Sequence, residues 1–347
     1  MTATVTIRQP DDFHLHLRDG EIMKLVVQDS AEFYRRALVM PNLSEPVVTV
    51  EKAVAYRQRI LDSLPEKCTF EPLMTLYLTP HTKPEQIVHA RESGVVLAVK
   101  YYPAGATTNS AYGVVSIEQC RNVLETMQKI GLPLSIHGEV TDSTIDIFDR
   151  EKVFIDTVLS KIQKEFPELK IVLEHVSTKE GIQFVSGCPQ NVAATITAHH
   201  LLLNRNDLLA GGINPHLYCL PIVKTEEDRQ AVSAAATSGN PKFFLGTDSA
   251  PHLVSAKIKP RGAAGIYAAY QSLPIYAELF ERMGHLDKLE NFASHFGSDF
   301  YGLPRNRQMI TLTKQKQIIP AFCGSDSLPI VPLKQNETIS WSKSVIP

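Results

Sequence analysis

Residues 13–19, FHLHLRD, predict a short buried strand close to the start of the chain. Because strand side chains alternate between two faces, His14 and His16 point the same way, whereas Leu15 and Leu17 point into apolar packing. Two neutral imidazoles that converge at a strand end form half of a site for a transition metal such as zinc. The same spacing also fits two structural histidines satisfied by hydrogen bonds, so this stretch alone leaves both interpretations open.

Eight short apolar or alternating runs, of which this stretch is the first, recur along the chain. They cover residues 12–17, 36–40, 72–78, 95–100, 132–137, 170–175, 191–197 and 242–246. Helical patterns lie between them at residues 50–64, 83–93, 116–130, 149–166, 178–185 and 225–238. Strands that alternate with helices indicate parallel βαβ units, and eight strands favour a closed (β/α)8 barrel over an open sheet. The predicted fold class is therefore α/β, as a TIM barrel.

The pattern loosens after the eighth run. Residues 262–283 and 290–301 predict two further helices. From Pro304 onward, Pro-rich sequence predicts an extended C-terminal segment, about 304–347, packed on the barrel with Trp341 as an anchor. The length of 347 residues suits a single α/β barrel, and we find no internal repeat or low-complexity linker. We therefore expect one barrel domain over residues 1–347.

Composition and charge favour small-molecule chemistry. The chain is 44% hydrophobic, and its 35 basic and 37 acidic residues leave a formal net charge of −2, which argues against nucleic acid or an anionic membrane as the main partner. The 5 cysteines are widely spaced and form no Cys-x-x-Cys pair, which fits a reducing compartment and excludes a thiolate zinc cluster. The sequence lacks a signal-like leader and an apolar run of roughly 20 residues, so we expect a cytoplasmic protein without a membrane span.

Polar side chains suited to chemistry fall at the carboxyl ends of the predicted strands. They are His14, His16, Lys100, His137, His175 and Asp248. Barrel enzymes place their catalytic residues at this end of the strands. Taken singly, each residue has a structural explanation as a strand-end lysine, a hydrogen-bonded histidine or a helix-capping aspartate. Together at one end of a barrel they would be costly to bury unless they were paired or ligating, so a metal cluster accounts for them best.

Lys100 indicates what kind of cluster this is. An ammonium group cannot bind a cation, so this lysine must be neutral or chemically converted. A desolvated lysine beside metal ions has a depressed pKa and can react with carbon dioxide to form a carbamate, an anionic ligand able to bridge two ions. Two ions roughly 3.5–4 Å apart can share a water and hold it as a hydroxide nucleophile. The residues therefore favour a two-metal hydrolytic site.

Six separated motifs give the sequence a family resemblance over nearly its whole length. They are FHLHLRDG (13–20), MPNL (40–43), KYYPAGATTNS (100–110), HGE (137–139), LYCLP (217–221) and GTDSAPH (246–252). The ligand pattern resembles the amidohydrolase superfamily, and the motifs are similar to those of the short bacterial, class II, dihydroorotase family. The resemblance implies a hydrolase that acts on a cyclic amide. The reaction it implies is the reversible cyclisation of N-carbamoyl-L-aspartate to L-dihydroorotate with loss of water, in pyrimidine (UMP) biosynthesis.

The resemblance also implies two zinc ions per subunit. The matching ligands are His14, His16 and Asp248 for the more buried ion, and His137 and His175 for the other. Lys100, as its N6-carboxylated form, would bridge the two ions together with a hydroxide. Asp248 would be the catalytic proton shuttle.

Contacts with the substrate are implied in the same way. The matching positions are Arg18, Asn42 and His252 for the carboxylate, Leu220 and Ala264 through backbone groups, Thr107 and Thr108 from a loop, and His16 and His137 from the metal ligands. The planar guanidinium of Arg18 suits a carboxylate. In relatives the matching loop folds over the substrate with its threonines touching the bound molecule, which excludes water once the loop is closed.

Other interpretations stay open at this stage. A hydantoinase-like cyclic amidase would share the metals but not the carboxylate pocket, and a non-catalytic scaffold relative would typically lose ligands. A single-metal deaminase would leave Lys100 without a purpose. Family resemblance further suggests a homodimer that acts on a small molecule.

Three more polar residues near the strand ends receive weaker assignments. If the strand alternates, Glu174 faces away from His175, so we expect it to face a helix or to be structural. The pair His199 and His200 follows the seventh run, where we expect solvated loop histidines and keep the rim of the site as the less favoured alternative.

Overall fold

An eight-stranded parallel sheet forms the centre of the computed structural model, which describes residues 3–344. A separate strand, β1 (Thr4–Arg8), precedes the sheet. The sheet strands are β2 (Asp11–Leu15), β3 (Arg36–Val39), β4 (Glu71–Tyr77), β5 (Val96–Tyr101), β6 (Leu134–Ile136), β7 (Ile171–Leu173), β8 (Val192–Ile196) and β9 (Phe243–Leu245). They lie side by side in sequence order, and each predicted run coincides with one of them. The predicted (β/α)8 barrel is confirmed.

Hydrogen bonds between the first sheet strand and the segment after the last one close the barrel. The backbone N–H of Asp248 donates to the His14 carbonyl at 2.8 Å, and that of His16 donates to the Ser249 carbonyl at 3.0 Å. Gly246 permits this approach, because a Cβ at this position would lie 3.0 Å from the Cβ of His14 and 2.8 Å from that of Thr195. The closure therefore brings residues of the first sheet strand and residues that follow the last one to the same rim of the barrel.

Helices follow most of the strands. They are α1 (Gly20–Phe33), α2 (Val50–Asp62), α3 (Pro84–Glu92), α4 (Arg121–Ile130), α5 (Arg150–Phe154), α6 (Ser160–Glu165), α7 (Lys179–Gly187), α8 (Ala198–Leu202), α9 (Arg205–Leu209), α10 (Glu226–Thr237), α11 (Val254–Lys257), α12 (Ser272–Arg282) and α13 (Phe296–Tyr301). A π-helical turn at Ile155–Leu159 joins α5 to α6, and a second one at Asn291–His295 leads into α13. The six helices predicted between the strands are confirmed. Among the described residues, no helix combines the length and apolar character that crossing a bilayer requires.

The short helices α8, α9 and α11 lie outside the predicted helices, and two larger differences from the sequence predictions also concern helices. Helix α1 was not predicted, although it spans 14 residues between β2 and β3. The helix predicted over residues 262–283 is wrong in its first part, because α12 begins only at Ser272. The preceding backbone is extended: the Ile266 carbonyl accepts a hydrogen bond from Ala250 at 2.8 Å, and Gly265 donates to the Tyr218 carbonyl at 3.0 Å. Pairing with distant backbone therefore overrides the local helical pattern here.

Short strands make up much of the chain after α13. They are β10 (Met309–Thr313), β11 (Gln317–Ile318), β12 (Cys323–Ser325), β13 (Leu328–Ile330), β14 (Thr338–Ile339) and β15 (Ser342–Lys343). Strand β10 pairs antiparallel with both β1 and β15. Trp341 is buried, and its indole N–H donates to Glu281 of α12 at 3.0 Å. Residues 1–2 and 345–347, which the domain and tail predictions included, lie outside the described residues.

Candidate active site

The six side chains predicted from the strand ends lie together at one rim of the barrel. His14 belongs to β2 and Lys100 to β5, and the others follow the ends of β2, β6, β7 and β9 within a few residues. All six are buried, from 0% exposure for Lys100 to 8% for His16. Burial of so many ionisable groups requires that they be neutral, paired or bound to ions.

Three of these side chains converge on one point. The Nε2 atoms of His14 and His16 lie 3.2 Å apart, and the Oδ1 atom of Asp248 lies 3.3 Å from the first and 3.1 Å from the second. Tetrahedral coordination with bonds of about 2.0–2.2 Å places ligand atoms roughly 3.3 Å from one another. These two imidazoles and the carboxylate can therefore hold a metal ion with little movement.

A buried carboxylate orients His14 from behind. Oε2 of Glu174 lies 2.8 Å from Nδ1 of His14 and accepts a hydrogen bond from the Thr195 hydroxyl at 2.7 Å. Burial acts to raise the pKa of Glu174, but the nearby His14 and Lys100 hold it below its usual value, so the carboxylate stays ionised. A histidine that donates Nδ1–H to a carboxylate keeps Nε2 free for a metal.

The prediction that Glu174 faces a helix is therefore wrong. The preceding Val172 belongs to the barrel-interior cluster, so normal alternation sends Glu174 inward as well. His175 departs from the pattern instead, because its φ of 42° lies in the left-handed region and turns its side chain toward the same site. Its backbone N–H donates to the Thr195 hydroxyl at 2.7 Å, which helps to hold this conformation.

Left-handed backbone recurs at other positions of the site. Arg18 has φ 62°, Asn109 56° and Asp248 45°. Residues other than glycine pay a conformational cost there, and such strain persists only where surrounding contacts fix it. For Asp248 this contact is the backbone hydrogen bond to His14 that closes the barrel.

A second group consists of Lys100, His137 and His175. The rings of His137 and His175 have centroids 4.8 Å apart, and the ring of His175 lies 5.1 Å from that of His14. Nε2 of His137 lies 2.8 Å from Glu139, so Nδ1 is the ring nitrogen left to bind an ion. The second group therefore adjoins the first closely enough for the two to form one cluster.

Two buried nitrogens in this second group have no hydrogen-bond partner within residues 3–344. They are Nζ of Lys100 and Nδ1 of His175. Burial lowers the pKa of Lys100 to about 8, although Glu174 and Asp248 act to raise it. Burial also places the pKa of His175 well below its usual value, so its imidazole is neutral. An amine without a partner, such as that of Lys100, is available for carboxylation. A neutral imidazole without a partner, such as that of His175, is available to bind a metal ion.

A cationic pocket lies beside the cluster. Nε of Arg18 donates to the Pro251 carbonyl at 3.2 Å, and its Nη2 lies 2.9 Å from Nε2 of His252. Burial, and to a smaller extent the charge of the nearby Arg18, lowers the pKa of His252 to about 2, so its ring is neutral. A guanidinium anchored in this way presents its remaining N–H groups in a fixed orientation, which suits a carboxylate.

The predicted loop lies over the same cavity. Thr108 donates its hydroxyl to the Ala264 carbonyl at 3.2 Å, and the Asn42 amide donates to the Thr108 carbonyl at 2.9 Å. Asn109 in turn donates to the Asn42 carbonyl at 3.0 Å. These three bonds join the loop to the segments that follow β3 and β9, so the loop is in a closed position.

One small cavity contains most of the predicted substrate contacts. Eight of the nine line it, namely His16, Arg18, Asn42, Thr107, Thr108, His137, Leu220 and Ala264. The ninth, His252, lies behind it, between Arg18 and the Ala264 carbonyl. Tyr102 also lines the cavity and was not predicted, although it belongs to the KYYPAGATTNS motif.

The structure contradicts both interpretations of His199 and His200, as solvated loop residues and as the rim of the site. Both are buried, and neither lines the cavity. Their ring nitrogens lie within 4.8 Å of the Cys219 sulfur, which makes a second group of possible metal ligands. However, Nε2 of His200 and Sγ of Cys219 already contact the Pro221 carbonyl at 3.0 and 3.3 Å. The first cluster is therefore the better candidate for a metal site.

Known proteins resemble this chain in sequence and in fold. The chain is 54% identical over 343 residues to a dihydroorotase of Nitrosomonas eutropha, which covers 98% of this chain and 99% of the relative. Among solved structures, the dihydroorotase of Campylobacter jejuni matches with TM-score 0.92 and 35% identity over 99% of this chain and 98% of its own. That of Saccharomyces cerevisiae, in complex with 5-fluoroorotic acid, matches with TM-score 0.89 and 34% identity over 98% of both chains. No protein-family model matches the chain.

The barrel and the candidate metal-binding groups at its strand ends define an amidohydrolase-type protein. Full-length similarity then narrows the assignment. The chain belongs to the dihydroorotase family.

Proposed function

We propose that this protein catalyses the reversible cyclisation of N-carbamoyl-L-aspartate to L-dihydroorotate with loss of water, a step of pyrimidine biosynthesis. The observation that carries the proposal is the presence, around one cavity, of a buried ligand cluster and an anchored arginine. The cluster suits hydrolysis of an amide, and the arginine suits the carboxylate that distinguishes dihydroorotate from an unsubstituted ring.

The ligand cluster fits two zinc ions per subunit. His14, His16 and Asp248 would hold one ion, as the spacing of their ligand atoms supports. His137 and His175 would hold the other, and Lys100 would join both as its N6-carboxylated form, which the unpartnered nitrogens of Lys100 and His175 support. When bound, the ions would supply a hydroxide as the nucleophile and polarise the attacked carbonyl.

Asp248 acts as the proton shuttle. Burial works to raise its pKa, but the adjacent His14 holds it well below the usual value, so the carboxylate is ionised and can accept a proton. In the hydrolytic direction Asp248 takes the proton of the nucleophile and delivers it to the ring nitrogen as the C–N bond breaks. In the direction of cyclisation the same carboxylate removes a proton from the carbamoyl nitrogen and returns it to the departing oxygen.

Substrate binding relies on the cationic pocket and on backbone groups. Arg18, Asn42 and His252 receive the carboxylate, while Leu220 and Ala264 offer backbone hydrogen bonds to the ring. Thr107 and Thr108 touch the substrate from the loop, and His16 and His137 contact it from the cluster. The closed loop excludes water, which strengthens each of these polar contacts.

Ring opening of L-dihydroorotate by the purified, zinc-quantified protein tests this function. We expect the absorbance of L-dihydroorotate to fall as its ring opens. The protein should contain about two zinc ions per chain and show little turnover of a hydantoin substrate. Turnover of the hydantoin in preference to dihydroorotate would favour the related cyclic amidase. Full zinc content without turnover of either substrate would favour a non-catalytic relative.

We further propose that residues 1–347 form one barrel domain and that the protein works as a homodimer in the cytoplasm. Strand β10 (309–313) pairs with both β15 (342–343) and β1. This pairing supports a single folding unit. Sedimentation equilibrium would test the oligomeric state, and a monomer mass across the working concentration range would exclude the dimer.

A further inference from the structure

Tyr102 carries a buried hydroxyl that has no hydrogen-bond partner among the described residues. The residue directly follows β5, its side chain is 1% exposed, and its Oη atom is unpartnered. A buried tyrosine hydroxyl normally finds a partner, because its loss of hydration is otherwise uncompensated. Since Tyr102 lines the active-site cavity, the missing partner is best supplied by a ligand bound there.

Several other polar donors around the cavity are already engaged. The Asn42 amide donates to the Thr108 carbonyl, and the Thr108 hydroxyl donates to the Ala264 carbonyl. Nε of Arg18 donates to the Pro251 carbonyl. The Tyr102 hydroxyl therefore differs from these side chains, because it makes no contact that a ligand would have to replace.

The ring of Tyr102 lies on the side of the cavity formed by the ligand cluster. Its centroid is 5.1 Å from Nζ of Lys100 and 6.3 Å from the ring of His137. If the substrate carboxylate binds Arg18, the amide carbonyl under attack must lie toward the cluster. A donor fixed on this side of the cavity therefore faces the oxygen of the attacked carbonyl, where negative charge develops.

We propose that Tyr102 is a catalytic residue whose phenolic O–H donates a hydrogen bond to the ring carbonyl oxygen as that oxygen becomes negatively charged. This inference rests on the proposed function, and it adds a protein donor that the family resemblance did not supply. Such a donor stabilises the tetrahedral state more than the planar substrate, so it contributes to kcat more than to KM.

Replacement by phenylalanine tests the proposal, with Tyr101 as a matched control. Tyr102→Phe removes only the hydroxyl. Tyr101 precedes it on β5, but its ring packs among the outer core residues, 6.1 Å from that of Phe154, and it does not line the cavity. We expect Tyr102→Phe to lower kcat for dihydroorotate on the order of 100-fold with KM changed less than about threefold. Tyr101→Phe should keep kcat within about twofold.

Ligand affinity supplies a readout that is independent of turnover. Orotate keeps the planar ring, whereas a boronate analogue of N-carbamoyl-L-aspartate becomes tetrahedral and anionic when bound. In Tyr102→Phe the affinity for the boronate should fall by a factor similar to the fall in kcat, while the affinity for orotate stays the same. Bound zinc and the thermal midpoint should equal those of the wild type, since the deleted hydroxyl has no partner to lose.

Three results would overturn the proposal. A kcat within threefold of the wild type would show that the hydroxyl is not used, and an equal loss of affinity for both ligands would assign it to ground-state binding. Lost zinc or a lowered midpoint that accompanies the lost activity would make Tyr102 structural. Failure of the wild type to open dihydroorotate would instead refute the proposed function, so the two failures are distinguishable.

Discussion

Replacing Arg18 by methionine should weaken the specificity of the site for a carboxylate. Methionine keeps most of the aliphatic volume but removes the charge and the forked donors. Because Nε is engaged with the Pro251 carbonyl and Nη2 lies 2.9 Å from Nε2 of His252, Nη1 and the second N–H of Nη2 remain for a ligand. A carboxylate would accept two charge-assisted hydrogen bonds from them, each worth about 1.5–3 kcal/mol. Losing both hydrogen bonds removes about 3 kcal/mol or more of binding free energy. We therefore predict that kcat/KM falls roughly 100-fold or more, mainly because KM rises.

The assay is the initial rate of ring opening across a range of L-dihydroorotate concentrations. Arg59→Met is the matched control, because Arg59 is a half-exposed arginine that lines a neighbouring pocket together with Arg18 and pairs with Asp19 at 2.7 Å. An exposed ion pair contributes little, so this variant should stay within about threefold of the wild type. A loss of less than tenfold for Arg18→Met, or an equal loss with dihydrouracil, which lacks the carboxylate, would refute the assignment of Arg18 to the carboxylate.

Three further substitutions test separate parts of the site. Asp248→Asn should retain the circular dichroism spectrum of the fold while turnover falls on the order of 100-fold to 10,000-fold, and near-normal turnover would exclude Asp248 from proton transfer. Glu174→Gln should weaken zinc affinity about 10-fold to 100-fold in competition with a chelator, since His14 loses its ionised partner, and an unchanged affinity would contradict that role. Thr108→Val removes the bond to Ala264, so KM should rise up to about tenfold at an unchanged thermal midpoint. A lowered midpoint with an unchanged KM would assign that bond to the fold rather than to loop closure.

The barrel could be predicted because its strands are nearly continuous apolar runs. Strands buried on both faces have this signature, and each of the eight runs ends in polar residues. Helix α1 was missed although Met23, Val26, Val27, Ser30 and Phe33 form its buried face. Their spacing of three and four residues is a helical signal that could have identified it. Residues 262–271 could not be assigned in this way, because their extended form depends on pairing with backbone that is distant in sequence.

The six clustered residues could be proposed from their positions at strand ends, but their supporting groups could not. Glu174 and Glu139 act through contacts that sequence spacing does not report, and the left-handed backbone at His175 reverses the face expected from alternation. Tyr102 lies two residues after Lys100 on a strand end, so alternation places both side chains on one side. That signal could have identified it, whereas its unpartnered hydroxyl is visible only in the folded structure.

The zinc content of Lys100→Ala, measured together with its turnover of dihydroorotate, tests the two-metal site most directly. Lys100 is fully buried with an unpartnered nitrogen, so we account for it as the carboxylated ligand shared by two ions. We predict fewer than two zinc ions per chain and strongly reduced turnover, with both partly restored when a short carboxylic acid occupies the space left by the side chain. Two zinc ions and full turnover without the added acid would contradict the bridging role of Lys100.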